Sequence, residues 1–148
     1  MYKVYLKPGK EESLKRFHPW IFSGAIARFD GEPEEGEVVE VYTSKKEFIA
    51  EGHFQIGSIA IRVLSFKQEP INHDFWKRKL EIAYDMRRSI GIATNPTNDT
   101  YRLVHGEGDN LPGLVIDIYA KTAVMQAHSA GMHAVSYTHL RAHETLSD

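Results

Sequence analysis

Between residues 2 and 66, short apolar runs recur at regular spacing and each is cut off by a turn signal. This pattern constrains the fold more than any other feature. Tyr2, Val4 and Leu6 alternate with Lys3, Tyr5 and Lys7 before Pro8-Gly9, which predicts a half-buried strand and a turn. Residues 11–17 can form one or two helical turns, which His18-Pro19 closes, because a proline disfavours a helical residue before it. Ser23 to Phe29, Val38 to Tyr42, Phe48 to Phe54 and Ser58 to Phe66 read as further strands. Short strands joined by tight turns predict a small barrel or sandwich.

From Asn72 the period changes. Phe75/Trp76, Leu80, Ala83, Met86/Arg87 and Ile90 recur at helical spacing, with Asn72 placed to cap the start and Gly91 to end it. Tyr101 to Val104, Leu114 to Tyr119 and Thr122 to Gln126 read as three more strands. A boundary near residues 67–72 therefore separates a β-rich module from a mixed one. The expected fold class is mixed α/β.

Composition removes several chemistries. The chain contains no cysteine, which excludes a thiol nucleophile, a thiolate metal site and a disulfide framework within it. Its charged N-terminus does not read as a signal peptide, and nothing in it approaches a membrane span, so the expected location is cytoplasmic. The eight histidines include only one helical pair, His139 and His143. Leu140 stands where a metalloprotease helix would place its glutamate, so no metal is expected.

The net charge of -2 is unevenly distributed. Residues 1–28 hold six basic side chains against two acidic, and residues 30–51 hold two basic against eight acidic. One basic face could hold phosphates; the plainer reading is two solvated faces of opposite sign. The helix carries Lys77, Arg78, Lys79, Arg87 and Arg88, with Asp74, Glu81 and Asp85 interspersed, and reads more simply as a solvated face than as an RNA-facing stripe.

Two segments hold candidate sites. In His18-Pro19-Trp20-Ile21-Phe22-Ser23-Gly24, the plain expectation is a corner that packs Trp20 and Phe22 into the core. The functional alternative is an aromatic contact surface. In residues 101–117, Gly106, Gly108 and Gly113 suggest a phosphate cradle at first sight. They lie between strands, however, beside Glu107 and Asp109, with no helix N-terminus to receive a phosphate. A long turn needing flexible glycines and a loop shaping a cleft through Arg102, Glu107 and Asp109 both remain open.

The runs KPGKEESLKRFHPWIFSGAI and GEVVEVYTSKKEFIAEGHFQIGSIAIRVLS resemble the N-terminal PUA domain of the large-subunit rRNA cytosine-C5 methyltransferase family. Residues 101–117, with an acidic turn, Leu-Pro-Gly-Leu and a strand ending in Asp117, resemble the αβ module that follows it in that family. The resemblance implies a PUA-like β pseudo-barrel over residues 1–68 and a truncated αβ linking module, a helix plus antiparallel strands, over 72–133. Residues 135–148 resemble translated library adapter and are expected to be a non-native tail. The parent enzyme would transfer a methyl group from S-adenosylmethionine to a 23S rRNA cytidine. The fragment would be non-catalytic and bind no cofactor, and its second module would expose apolar surface. RNA docking would fall to Lys7, Lys10, Arg16, His18 and Trp20. A stand-alone RNA-binding PUA protein and a purely structural module that orients a methyltransferase domain are the alternatives.

Overall fold

A computed structural model describes residues 2–138; residues 139–148 of the expected tail, with His139 and His143, lie outside the described residues. The chain divides into two compact units. The first runs to Glu69 and takes in Ser129–Gly131, and the second comprises Pro70–His128 and, among the described residues, 132–138.

The first unit is a curled six-stranded sheet. Its strands are β1 (Tyr2–Leu6), β2 (Trp20–Phe22), β3 (Ile26–Asp30), β4 (Val38–Tyr42), β5 (Phe48–Phe54) and β6 (Ile59–Ser65), in the order β2-β6-β5-β4-β1-β3. A four-residue helix, α1 (Glu12–Lys15), follows β1. β1 and β4 run parallel and every other pair is antiparallel. The two edge strands, β2 and β3, are consecutive in the chain and joined only by a single 3-10 turn, Ser23–Ala25. Three residues span roughly 10 Å at most, so a six-stranded sheet can place both edges there only by curling on itself.

Alternation supplies the core. Val4 and Leu6 of β1, Val39 and Val41 of β4, Ile21 of β2 and Leu14 of α1 are all buried, and each contributes roughly 1.5–3 kcal/mol relative to exposure. β5 is buried on both faces, so Glu51 and His53 are enclosed as fully as Ala50. Gly52 sits where a Cβ would meet the carbonyl oxygen of Arg62, so glycine is required for β5 and β6 to approach at the local bulge.

The expected single strand over Ser23–Phe29 is corrected. Its first three residues form the 3-10 turn between the sheet edges, only Ile26 onward is strand, and the segment before it, Trp20–Phe22, is a strand of its own. Pro19 precedes an edge strand, where its missing N–H costs no ladder bond.

The second unit contains α2 (His73–Ser89) and a three-stranded antiparallel sheet of β7 (Thr100–His105), β8 (Leu114–Tyr119) and β9 (Thr122–Ala127), with β8 central. Asn72 caps α2 by accepting the Phe75 N–H at 3.0 Å. Phe75, Trp76, Leu80 and Ala83 form its buried face, and Leu114, Ile116 and Ile118 bury one face of β8. Ile82 and Met86 on α2 and Ile90 at its C-cap, four residues apart, are exposed, as are Tyr119 and Val124 on the sheet. A last helix, α3 (Ala130–Thr138), includes the first residues of the expected tail and buries Met132 and Val135. No helix among the described residues is long and apolar enough to cross a membrane.

Candidate functional site

The segment from Lys7 to Phe22 holds the first set of candidate residues. Lys7 stands just after β1, and its N–H donates to the Ala25 carbonyl at 2.8 Å. Lys10 closes the following turn onto the Lys7 carbonyl at 3.1 Å. Arg16 ends α1, and Phe17 takes a left-handed conformation (φ 61°) that turns the chain toward β2. Lys7, Lys10, Arg16 and His18 are exposed, and neither lysine nor Arg16 makes an ion pair among the described residues, whereas Lys15 pairs with Glu12 at 3.7 Å.

Trp20 and Phe22 do not pack into the core. β2 pairs with β6 through Trp20–Arg62, Ile21–Ile61 and Phe22–Ile59, and strand alternation sends only Ile21 inward. Trp20 is half-buried, Phe22 is 48% exposed, and both join His18 in a compact triangle with ring centroids 6.1, 6.3 and 6.4 Å apart. His18 Nδ1 lies 3.2 Å from the Trp20 N and 3.3 Å from the Trp20 carbonyl oxygen, so the ring is tied back to the Trp20 backbone. The structure thus brings His18 and Trp20 together and adds Phe22. The signal for Phe22 was period-two alternation around a buried Ile21, which the reading of the segment as a corner hid.

The second set sits on the loop between β7 and β8. Gly106–Asp109 form one 3-10 turn, and Asn110 takes the left-handed conformation that leads into Leu111-Pro112-Gly113. Asp109 does not line an open cleft: its side chain is 5% exposed and receives both terminal nitrogens of Arg87, at 2.5 and 2.8 Å, and the His105 N–H at 2.6 Å. Burial pushes its carboxyl up, but the Arg87 guanidinium and the His105 N–H outweigh that and hold it below the ordinary carboxylate range. Arg87 also donates through Nε to the Arg102 carbonyl at 3.1 Å. Arg87 is therefore a buried clamp between α2 and the loop, which corrects its reading as part of a solvated helix face.

Arg102 lies directly across from Asp117 on β8 and pairs with it through two bonds of 2.7 and 3.2 Å. Glu107 is exposed on the turn. The three expected cleft residues are therefore not one constellation: Asp109 braces the loop from a buried position, Arg102 ties two strands on an exposed face, and Glu107 is exposed on the turn. Among the described residues no group of three or more histidine or acidic side chains could hold a metal ion.

The glycine-rich loop lies between two strands rather than at the start of a helix, and its buried carboxylate is already committed to Arg87.

Comparison with known proteins agrees with the fold and the first unit. The profile of the PUA-like domain family matches residues 4–66. "Ribosomal RNA large subunit methyltransferase I" of Vibrio cholerae is 41% identical over 129 residues, 86% of this chain and 32% of that protein. The Aliivibrio fischeri protein of the same name is 44% identical over 133 residues, 88% of this chain and 33% of its own length. The chain thus spans about a third of the length of the curated relatives it matches. Two solved structures share the fold at 19% identity and cover 99% of the chain. One is a Streptococcus mutans protein assigned as a SAM-dependent methyltransferase (TM-score 0.76, 37% of that protein), and the other is an assigned methyltransferase complexed with SAH (0.77, 36%). The chain carries a PUA-like domain and is a homologue, over about a third of their length, of the proteins named ribosomal RNA large subunit methyltransferase I.

Proposed function

We propose that this chain supplies the RNA-docking part of a SAM-dependent large-subunit rRNA methyltransferase, acting in the cytoplasm on 23S rRNA, and that it does not itself transfer the methyl group. The observation that carries this is the partly exposed His18–Trp20–Phe22 triangle, with Lys7, Lys10 and Arg16 free of ion pairs among the described residues, in a PUA-like domain whose relatives are named for rRNA methylation. Aromatic faces stack on unpaired bases whatever their sequence, and cations hold the phosphates. The transferred methyl group would come from S-adenosylmethionine bound by other parts of the longer protein, with cytosine C5 as the acceptor. Chemistry at a base requires that base to be single-stranded or flipped out of its stack. A docking module that grips unpaired RNA suits that requirement.

Electrophoretic mobility of the chain with a 23S rRNA fragment, over a range of salt, tests the reading. Affinity should fall steeply with salt, and Lys7→Glu, Lys10→Glu and Arg16→Glu together should lower the log–log salt slope by about two, since each lost single-strand phosphate contact removes ~0.7. Absence of binding at low salt would leave the chain a scaffold that orients a methyltransferase domain.

A further inference from the structure

The first unit contains a pocket that none of the expected site residues lines. β3 is bonded only to β1, and β2 only to β6, so the curled sheet does not close by a backbone ladder between its edges. The gap along this seam is a cavity of about 380 Å³ between β3 and the β5–β6 hairpin. Small-ligand sites run from roughly 300 to 1,000 Å³, so this one suits a single ring system rather than a strand. Ile26, Phe29, Phe54 and Ile56 supply apolar walls, and Phe29 meets Phe54 edge-on at 5.4 Å.

The polar groups of the pocket are held in place. Gln55 Oε1 accepts from Arg62 at 3.3 Å and from the Ala130 N–H at 3.1 Å. Two donors on one atom identify it as the carboxamide oxygen, which leaves Nε2 to donate to an incoming acceptor. Arg28, an exposed residue of β3, also lines the pocket, and its guanidinium lies over the Tyr5 ring at 4.0 Å. The hairpin tip is ordered by the Ile56 N–H donating to Glu35 at 3.0 Å. Ser23, which also lines the pocket, directly follows Phe22 of the aromatic triangle.

We infer that this seam pocket receives one unpaired base of a single-stranded RNA whose neighbouring base stacks on His18, Trp20 and Phe22. The occupant follows from chemistry on the page. A flat ring with an acceptor edge matches apolar walls plus one fixed amide donor. A polyanion matches Arg28 on the lining strand and the exposed Lys7, whose N–H donates to the Ala25 carbonyl just before β3. Continuity with the triangle at Phe22–Ser23 makes the two features adjacent stations on one strand. The inference rests on the RNA-docking reading and sharpens it from phosphate contact to base capture.

Fluorescence anisotropy of the whole chain with labelled octauridine RNA, and with the same octamer made fully abasic, separates the two. Ala27→Trp, on the exposed edge strand that walls the pocket, should fill it, and Ile56→Ser at the hairpin tip should strip one wall without touching the core. Loss of one captured base is expected to weaken octauridine binding about tenfold in either variant, while abasic binding stays unchanged. Phe22→Ala should weaken octauridine binding without involving the pocket. If Phe22→Ala weakens binding and both pocket variants bind as the wild type does, the pocket inference is wrong and the docking reading stands. If the wild type binds octauridine no better than the abasic octamer, base recognition fails at both stations. Should Ala27→Trp fail to fold, Ile56→Ser decides alone.

Discussion

Replacing Glu51 by glutamine should reveal a pH dependence of stability that the wild type conceals. Glu51 and His53 lie two residues apart on β5, at 2% and 4% exposure. Burial first, then the charges of Glu40 and Glu69, push the Glu51 carboxyl up to about 7 from an ordinary 4.5, against the opposing hydrogen bond from the Glu69 N–H. Burial first, then Arg62 across the ladder, pushes His53 down to about 4 from 6.5. The signs are opposite. The folded state holds the Glu51 proton more tightly than the unfolded chain does, so this contribution is complete below pH 4.5 and lost as pH rises to about 7. The folded state resists protonating His53, so that contribution is complete above pH 6.5 and lost as pH falls to about 4.

At 1.36 kcal/mol per pH unit, each interval caps its contribution at about 3 kcal/mol, and water entry with side-chain relaxation reduces the working figure to about 1–2 kcal/mol. Between pH 4.5 and 6.5 the two slopes cancel. The wild type should therefore be flat in that window, while Glu51→Gln should gain stability as pH rises and His53→Asn should lose it. Urea unfolding of the whole chain at pH 4.5, 5.5, 6.5 and 7.5 reads this out, when followed by the amide cross-peaks of β5 and β6. A Glu51→Gln profile parallel to that of the wild type would refute the reasoning, because it would mean that Glu51 ionises in the folded state as it does in the unfolded chain.

Three further outcomes follow from the packing. Arg87→Ala should destabilise the second unit by about 3–5 kcal/mol by stranding the buried Asp109 carboxylate, seen as a lower urea midpoint; Arg87→Met with Asp109→Leu should recover most of it. Gly131→Ala should lower the thermal midpoint of the first unit, since its Cβ would fall on the His53 ring and overpacking costs about 1–3 kcal/mol; replacing Gly24, around which there is open space, should be nearly neutral. Asn72→Ala should cost about 0.5–2 kcal/mol through loss of the α2 cap, measurable by circular dichroism melting.

The elements legible in the sequence are those whose pattern is local. Val4 and Leu6, or Val39 and Val41, declare a half-buried strand because side chains two apart share a face. Asn72 followed by Phe75, Trp76, Leu80 and Ala83 declares a capped helix with one core-facing stripe, and the structure has both. The resemblance of residues 1–68 to a PUA domain was legible for the same reason, since it rests on contiguous runs, and the family match over 4–66 agrees.

What only the tertiary structure decided depends on partners far along the chain. Trp20 and Phe22 face outward because Ile61 and Ile59 pair with the same short strand and Ile21 takes the inward position. Arg87 is buried because Asp109, twenty-two residues on, meets it. Glu51 and His53, polar residues that local pattern would place in water, are enclosed because β5 is covered on both faces. The seam pocket exists because β3 lies beside the β5–β6 hairpin without pairing with it. Periodicity reports which residues share a face, whereas burial and pairing are set by what folds against that face.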